Sequence, residues 1–209
     1  MGRVVKKIVL TGGPCAGKSS SLELIKNYIS DLGYLVLVVN ESATELINSG
    51  IKPFGNDSVS MIEFQEIVLN YQLYKEKLVL DNAEKYYKGR DIVILYDRGI
   101  GDYKAYIGEE EYIKLLNKYS LNESDILDDF DFVIFLETAA KSSGYMLENN
   151  NARSESSKEA IELDDKLYDA WKIHKNIYKI KSNDDFSIKQ NEIIDFISKY
   201  FKENKKYIS

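Results

Sequence analysis

The stretch Lys7-Ile8-Val9-Leu10-Thr11-Gly12-Gly13-Pro14-Cys15-Ala16-Gly17-Lys18-Ser19-Ser20 decides how the rest of the chain is read. Residues 7–11 form a β-branched, apolar run that stops at two glycines, which predicts a strand. Residues 12–19 match the spacing G-x-x-x-x-G-K-S/T. Beyond them Leu22, Ile25, Ile29 and Leu32 share one stripe, which predicts a helix over 19–32 stopped by Gly33. Strand, glycine loop and helix start, in that order, make a cradle for phosphate groups. Glycines let the backbone approach phosphate oxygens and turn its N–H groups inward. The helix N-terminus adds about half a positive charge aimed at the same anion. Gly12, Gly13, Pro14, Cys15, Ala16, Gly17, Lys18, Ser19 and Ser20 are therefore the candidate nucleotide-binding set. Lys18 is expected to reach the β- and γ-phosphates, and the Ser19 hydroxyl to ligate Mg²⁺. Cys15 reads as a small residue tolerated in a tight loop, with redox control of its thiol as the alternative.

Four further apolar runs follow, at 34–39, 91–96, 131–136 and 177–180, with helical patterns between them. The run at 34–39 is unbroken, which predicts burial on both sheet faces. Capping-box spacing opens several helices: Ser60 with Glu63, Ser120 with Glu123, Ser156 with Glu159 and Ser187 with Gln190. Ile193, Ile194, Ile197, Tyr200 and Phe201 form the core-facing stripe of the last helix. A helix over 158–176 carries Trp171 and His174, and that histidine reads as a packing residue rather than a ligand. Alternating strands and helices predict an α/β fold: a five-stranded parallel sheet with helices on both faces, of the P-loop NTPase type. No linker or repeat divides the chain, so one domain over 1–209 is expected, with a polar, lid-like segment at about 138–157.

Composition narrows the chemistry. A net charge of −6 argues against broad nucleic-acid binding, although a local nest of amides and cations still suits a small polyanion. One histidine excludes the common His-based metal sites and most catalytic triads. The single cysteine excludes an internal disulfide framework and fits a reducing compartment. No apolar run approaches the roughly 18–20 residues that span a bilayer. A cytoplasmic protein without integral membrane association is the expectation.

The carboxyl ends of the other strands supply the remaining candidates, because ligands bind there in open α/β sheets. Ile92-Val93-Ile94-Leu95-Tyr96-Asp97 is an apolar strand ending in an acid, as a Walker B segment would be. Asp97 reads as a holder of Mg²⁺, directly or through water, as a general base, or as a helix-capping acid. Arg98 follows it and suits an acceptor or a transferred phosphate. Asp102, one helical turn on, faces the same cleft or simply favours a helix start. Glu41 holds the equivalent place after the second strand, as a base, a metal-water contact or a helix N-terminal acid. Arg153 is the only arginine within 138–157 and reads either as a cation closing on the transferred phosphoryl group or as a solvated surface residue. Tyr71, Tyr74, Tyr103 and Tyr106 are the aromatic candidates for an acceptor pocket.

Three groups of residues in order carry a resemblance: the phosphate loop at 12–19; Asp97-Arg98-Gly99 with Asp102, Ala105 and Tyr106; and Asn151-Ala152-Arg153-Ser154-Glu155-Ser156 with Ala160 and Trp171. Over roughly residues 5–200 the chain resembles the NadR-like P-loop AAA-domain family, whose members include a nicotinamide-riboside kinase domain and a phosphoinositide-binding protein. The resemblance implies a nucleoside/nucleotide-kinase-like fold with the loop-bearing strand central in the sheet. It also implies a triphosphate and Mg²⁺ site at Gly12, Gly17, Lys18 and Ser19, an acid–arginine pair at Asp97 and Arg98, and a lid arginine at Arg153. Asn183-Asp184, after the fifth strand, is then placed to meet the nucleotide base.

Two function classes follow. The first is an enzyme: a Mg²⁺-dependent phosphotransferase using ATP or GTP on a nucleoside-like or other small hydroxyl acceptor. The second is a regulatory nucleotide-binding switch that engages a protein or phosphoinositide partner.

Overall fold

Five strands form one parallel sheet in the order β2-β3-β1-β4-β5. The computed structural model describes residues 4–142 and 157–205. Along the chain these are β1 (Val5–Gly12), α1 (Lys18–Asp31), β2 (Leu35–Val39), α2 (Ser42–Asn48), α3 (Met61–Tyr86), β3 (Ile92–Asp97), α4 (Tyr103–Lys118), α5 (Glu123–Asp128), β4 (Phe132–Leu136), α6 (Ser157–Trp171), β5 (Ile177–Ile180) and α7 (Phe186–Lys205). Short 3₁₀ turns at Ile100–Asp102 and Ala139–Lys141 follow β3 and β4. All five predicted strands are present, and the loop-bearing strand is the central one.

The pleat sorts the core into two layers, because successive side chains leave a strand on opposite faces. Ile8 and Leu10, Val93 and Leu95, and Phe132, Ile134 and Leu136 pack with Leu22, Ile25 and Ile29 of α1 and Ile193, Ile197 and Phe201 of α7. Val9, Ile92, Ile94, Tyr96 and Val133 pack on the other face with Ala83 of α3 and Ala170 and Trp171 of α6. A third cluster joins α3 to α4 through Phe64, Leu69, Tyr103 and Tyr112. Register places Leu10 opposite Asp97 and Gly12 opposite Leu136, so the ends of β1, β3 and β4 meet at one edge. That edge is where the candidate residues gather.

Several local expectations are corrected. The run at 34–39 is covered on both faces but incompletely: Val36 and Val38 pack against one core layer and Leu35 and Leu37 against the other, yet β2 is an edge strand and four of its five residues are only half-buried. Its apolar run reflects packing under neighbouring helices rather than a central position. Ser60 and Glu63 do form the capping box. Ser120 does not open a helix; at φ 54 its N–H closes the preceding one on Asn117 O, and Asn122 Oδ1 caps α5 instead. Ser187 lies inside α7, where its N–H donates to Asp185 Oδ1. Ser156 lies outside the described residues. The helix predicted over 158–176 ends at Trp171, and His174 sits in the turn beyond, its Nδ1 accepting from Asn176 N–H and its Nε2 donating to Phe130 O. The packing role read for that histidine holds.

The turn after β3 depends on two glycines lying flat against Trp171. An added Cβ at Gly99 or Gly101 would approach the indole to 2.8 or 2.9 Å. Trp171 is itself fixed by an Nε1–H donated to Asp102 Oδ1 at 2.5 Å. Gly101→Ala should therefore cost about 1–3 kcal/mol of stability by overpacking, read as a lower urea midpoint at unchanged m-value.

Candidate phosphate site and adjoining cavity

Gly12 permits the strand ends to meet: a Cβ there would lie 2.0 Å from Leu136 O. Gly17 has φ 83 and borders α1, and a Cβ on it would lie 2.4 Å from the Phe186 ring. Cys15 is exposed and takes the left-handed region at φ 58, which non-glycine residues enter at a cost of about 1 kcal/mol. The first turn of α1 has neither an acidic residue nor a side-chain cap, and Ser19 and Ser20 are exposed on it. Lys18 folds back over the loop, its Nζ donating to Gly12 O at 3.2 Å and Gly13 O at 3.1 Å. Burial and the nearby Arg98 charge lower its pKa to about 8.

Other elements grip the loop. Thr138, at the end of β4, donates its hydroxyl to Pro14 O at 2.5 Å. Lys189 of α7 donates to Ala16 O at 2.9 Å and to Glu137 O at 2.7 Å. Asp164 of α6 is fully buried; its Oδ1 accepts from Gly13 N–H and Thr138 N–H, and its Oδ2 from Lys141 Nζ. Sequence reasoning did not single out Asp164 or Lys189. A signal existed for both: each is a charged residue in a buried helical stripe, Ala160–Asp164–Leu167 and Lys189–Ile193–Ile197.

The acids at the neighbouring strand ends divide sharply. Arg98, at φ 68, donates from Nε to Glu41 Oε1 at 2.5 Å and from a terminal nitrogen to Asp102 Oδ2 at 3.4 Å. Burial opposes its charge, but Tyr106, Asp102 and Glu41 hold the guanidinium charged more firmly than usual. Glu41 also accepts from Thr44 Oγ1 at 2.7 Å; against its own desolvation, Arg98, Thr44 and Lys18 hold its carboxyl below the usual range. Asp102 is a buried tie, accepting from Thr11 Oγ1 and Trp171 Nε1 on one oxygen. Asp97 is the unsatisfied member. Its Oδ1 is buried and has no hydrogen-bond partner among the described residues. Desolvation, then the Glu41 charge, raise its pKa to about 6 despite Lys18 and Arg98.

The unpartnered Asp97 oxygen and the exposed Ser19 hydroxyl at the start of α1 are hard oxygen donors of the kind Mg²⁺ takes. Among the described residues no group of three or more His, Cys, Asp or Glu could hold a metal ion by itself. Mg²⁺ suits this sparse set because it keeps waters and takes phosphate oxygens as its other ligands.

Asn183 is exposed and its Oδ1 accepts from Asp185 N–H, so its side chain shapes its own turn; the neighbouring Phe186 brings that turn against Gly17. Arg153, with most of the lid-like segment, lies outside the described residues, whereas residues 138–142 are described and begin with the Thr138 contact.

Beside the Glu41–Arg98 pair opens a cavity of about 260 Å³. Phe54, Met61, Phe64, Tyr103 and Tyr106 line it with Gln72. Of the tyrosines weighed from the sequence, Tyr103 and Tyr106 line it, while Tyr74 is exposed and Tyr71 lies under the Lys75 ammonium. Gln72 is buried and accepts from Tyr103 OH at 2.5 Å. Burial pushes the Tyr103 pKa well up, so the phenol stays a donor and the Gln72 amide is oriented with Oε1 towards it. The amide nitrogen of Gln72 has no hydrogen-bond partner among the described residues.

A parallel sheet with a glycine loop between its central strand and first helix defines a nucleotide-binding P-loop protein of the α/β NTPase class. The family model described as AAA domain matches residues 7–187, and the chain belongs to that family. No curated protein matches it. Among the described residues no helix is long and apolar enough to cross a membrane.

Asp97 gives a prediction that separates folding from function. Its folded pKa, about 6, lies above the ordinary 3.8, so the folded state binds more protons in that window and stability falls as pH rises through it. Asp97→Asn should therefore raise stability by about 1–3 kcal/mol at pH 7. In urea titrations the gain should shrink towards zero as the pH approaches 4; a loss of stability at pH 7 contradicts the assignment.

Proposed function

We propose that this protein is a Mg²⁺-dependent phosphotransferase, moving the γ-phosphoryl group of ATP or GTP to a hydroxyl of a small, flat, nucleoside-like acceptor. The observation that carries this reading is the cavity. It shares Glu41 and Arg98 with the edge where Lys18 and Asp97 stand, so a guest in it would end beside the phosphate loop. A switch that only bound or hydrolysed a nucleotide would have no use for such a cavity.

In this account the loop amides from Cys15 to Ser20 and the Lys18 ammonium bind the triphosphate, and Lys18 leaves its own loop carbonyls to do so. Asp97 and Ser19 hold Mg²⁺, which when bound neutralises charge on the phosphate oxygens. Glu41, kept ionised by Arg98, accepts the hydrogen of the acceptor hydroxyl as its oxygen bonds to phosphorus and the bond to the leaving nucleoside diphosphate breaks. Arg98 spans the two sites and faces charge that develops on the transferred group. The aromatic walls at Phe54, Phe64, Tyr103 and Tyr106 exclude water and sandwich a planar ring. Gln72 donates to a carbonyl or ring nitrogen on that ring. Arg153 takes no part in this account.

Incubating the protein with Mg-ATP or Mg-GTP and a panel of nucleosides and phosphorylated metabolites, read by product mass, tests the proposal. Phosphorylated acceptor is expected; nucleotide turnover identical with and without every acceptor would assign the protein to the switch class. Lys18→Ala should cut turnover by about 10²–10³-fold through loss of charge stabilisation at the phosphates. Gln72→Leu should raise the acceptor KM about tenfold, one hydrogen bond's worth, and leave the nucleotide KM unchanged.

A further inference from the structure

Lys189 occupies a position in α7 that packing alone would give to leucine. It continues the buried stripe Ile193, Ile197 and Phe201, and only 4% of it is exposed. Its ammonium hydrogen-bonds two neutral backbone carbonyls, Ala16 O and Glu137 O. Burying a charge on neutral partners is expensive, so the burial calls for a return elsewhere.

The return lies in the peptide that Lys189 touches. The described chain has no cis peptide bond, so the C=O of Ala16 and the N–H of Gly17 belong to one trans plane and point in opposite directions. The carbonyl turns inward to a buried ammonium, so the N–H turns outward to the cleft. A cation on the carbonyl oxygen also draws electron density along the amide and strengthens its N–H as a donor. Thr138 treats the preceding alternate peptide the same way: its hydroxyl holds Pro14 O and thereby turns the Cys15 N–H outward.

We propose that Lys189 is a positioning residue for polyphosphate binding, acting from behind the loop through the Ala16–Gly17 peptide. This rests on the reading of the loop as a phosphate site. Asp164 of α6, Glu137 at the end of β4 and Glu192 of α7 face the Lys189 ammonium, and Lys141 is paired with the first two. Burial outweighs those acids and lowers the Lys189 pKa to about 8. A polyphosphate across the peptide favours the charged form, so its binding is coupled to proton uptake and weakens as pH rises above that value.

Inorganic tripolyphosphate, which has no base or ribose to contact the rest of the site, is the probe, with binding measured by calorimetry between pH 7 and 9.5. At pH 7 Lys189→Met should weaken binding about tenfold and Lys189→Gln, which keeps a donor without the charge, by about threefold. Both variants should show a pH slope of log affinity shallower than wild type by about one proton. Affinities within about twofold of wild type, or a loss of affinity with the wild-type pH slope, would overturn the proposal; if the Met variant does not fold, the Gln variant decides. Wild-type protein that fails to bind tripolyphosphate overturns the proposed function, and this inference with it.

Discussion

Everything at the carboxyl edge of the sheet depends on where the carbonyls between β1 and α1 point. Pro14 O is held by Thr138 and Ala16 O by Lys189, both from behind, while Gly12 O and Gly13 O take the Lys18 ammonium. A loop whose carbonyls are engaged in this way presents amide hydrogens on its other side. The uncapped first turn of α1 extends the same surface. The anion site is thus built as much by β4, α6 and α7 as by the glycines.

That division explains how much of the site was legible in the sequence. The loop, Asp97, Arg98 and Glu41 were legible because each is announced locally, by glycine spacing or by an acid closing an apolar run. Asp164, Lys189 and Gln72 act on groups far away in sequence; Lys189 reaches Ala16 across 173 positions. Local patterns carry no such pairing. They did carry a trace, since each of the three is a polar residue in a stripe of buried positions: Phe64–Val68–Gln72 on α3, Ala160–Asp164–Leu167 on α6 and Lys189–Ile193–Ile197 on α7. A polar group in such a stripe must find a buried partner or be expelled.

The fold was legible at the level of elements and less so in their placement. Apolar runs located all five strands, but the run at 34–39 looks the same whether it is central or, as here, at the edge. Periodicity reports how much of a strand is covered and not which neighbour covers it. The helix starts were misplaced for a related reason. Ser120 and Ser187 have the capping-box spacing, yet the side chains that accept backbone N–H groups near these helix starts are those of Asn122 and Asp185, each two residues before the N–H it accepts from. Spacing proposes a cap; the direction in which the chain enters the helix selects it.

Glu41 and Asp97 show how one arginine can assign two carboxylates to different work. Arg98 is left-handed at φ 68, and its side chain runs to Glu41 and Asp102 rather than to Asp97, its own neighbour in sequence. Glu41 therefore stays ionised, while Asp97 keeps a buried oxygen without a donor among the described residues, and desolvation, with the Glu41 charge, raises its pKa. Moving the guanidinium to Asp97 would satisfy that oxygen and destroy the difference. Left as it is, the pair offers a fixed anion on the cavity side and an avid one on the loop side. On the proposed reading, a cation arriving with a polyphosphate would relieve the second without disturbing the first. The strained backbone at Arg98 is the structural means of keeping those two tasks apart.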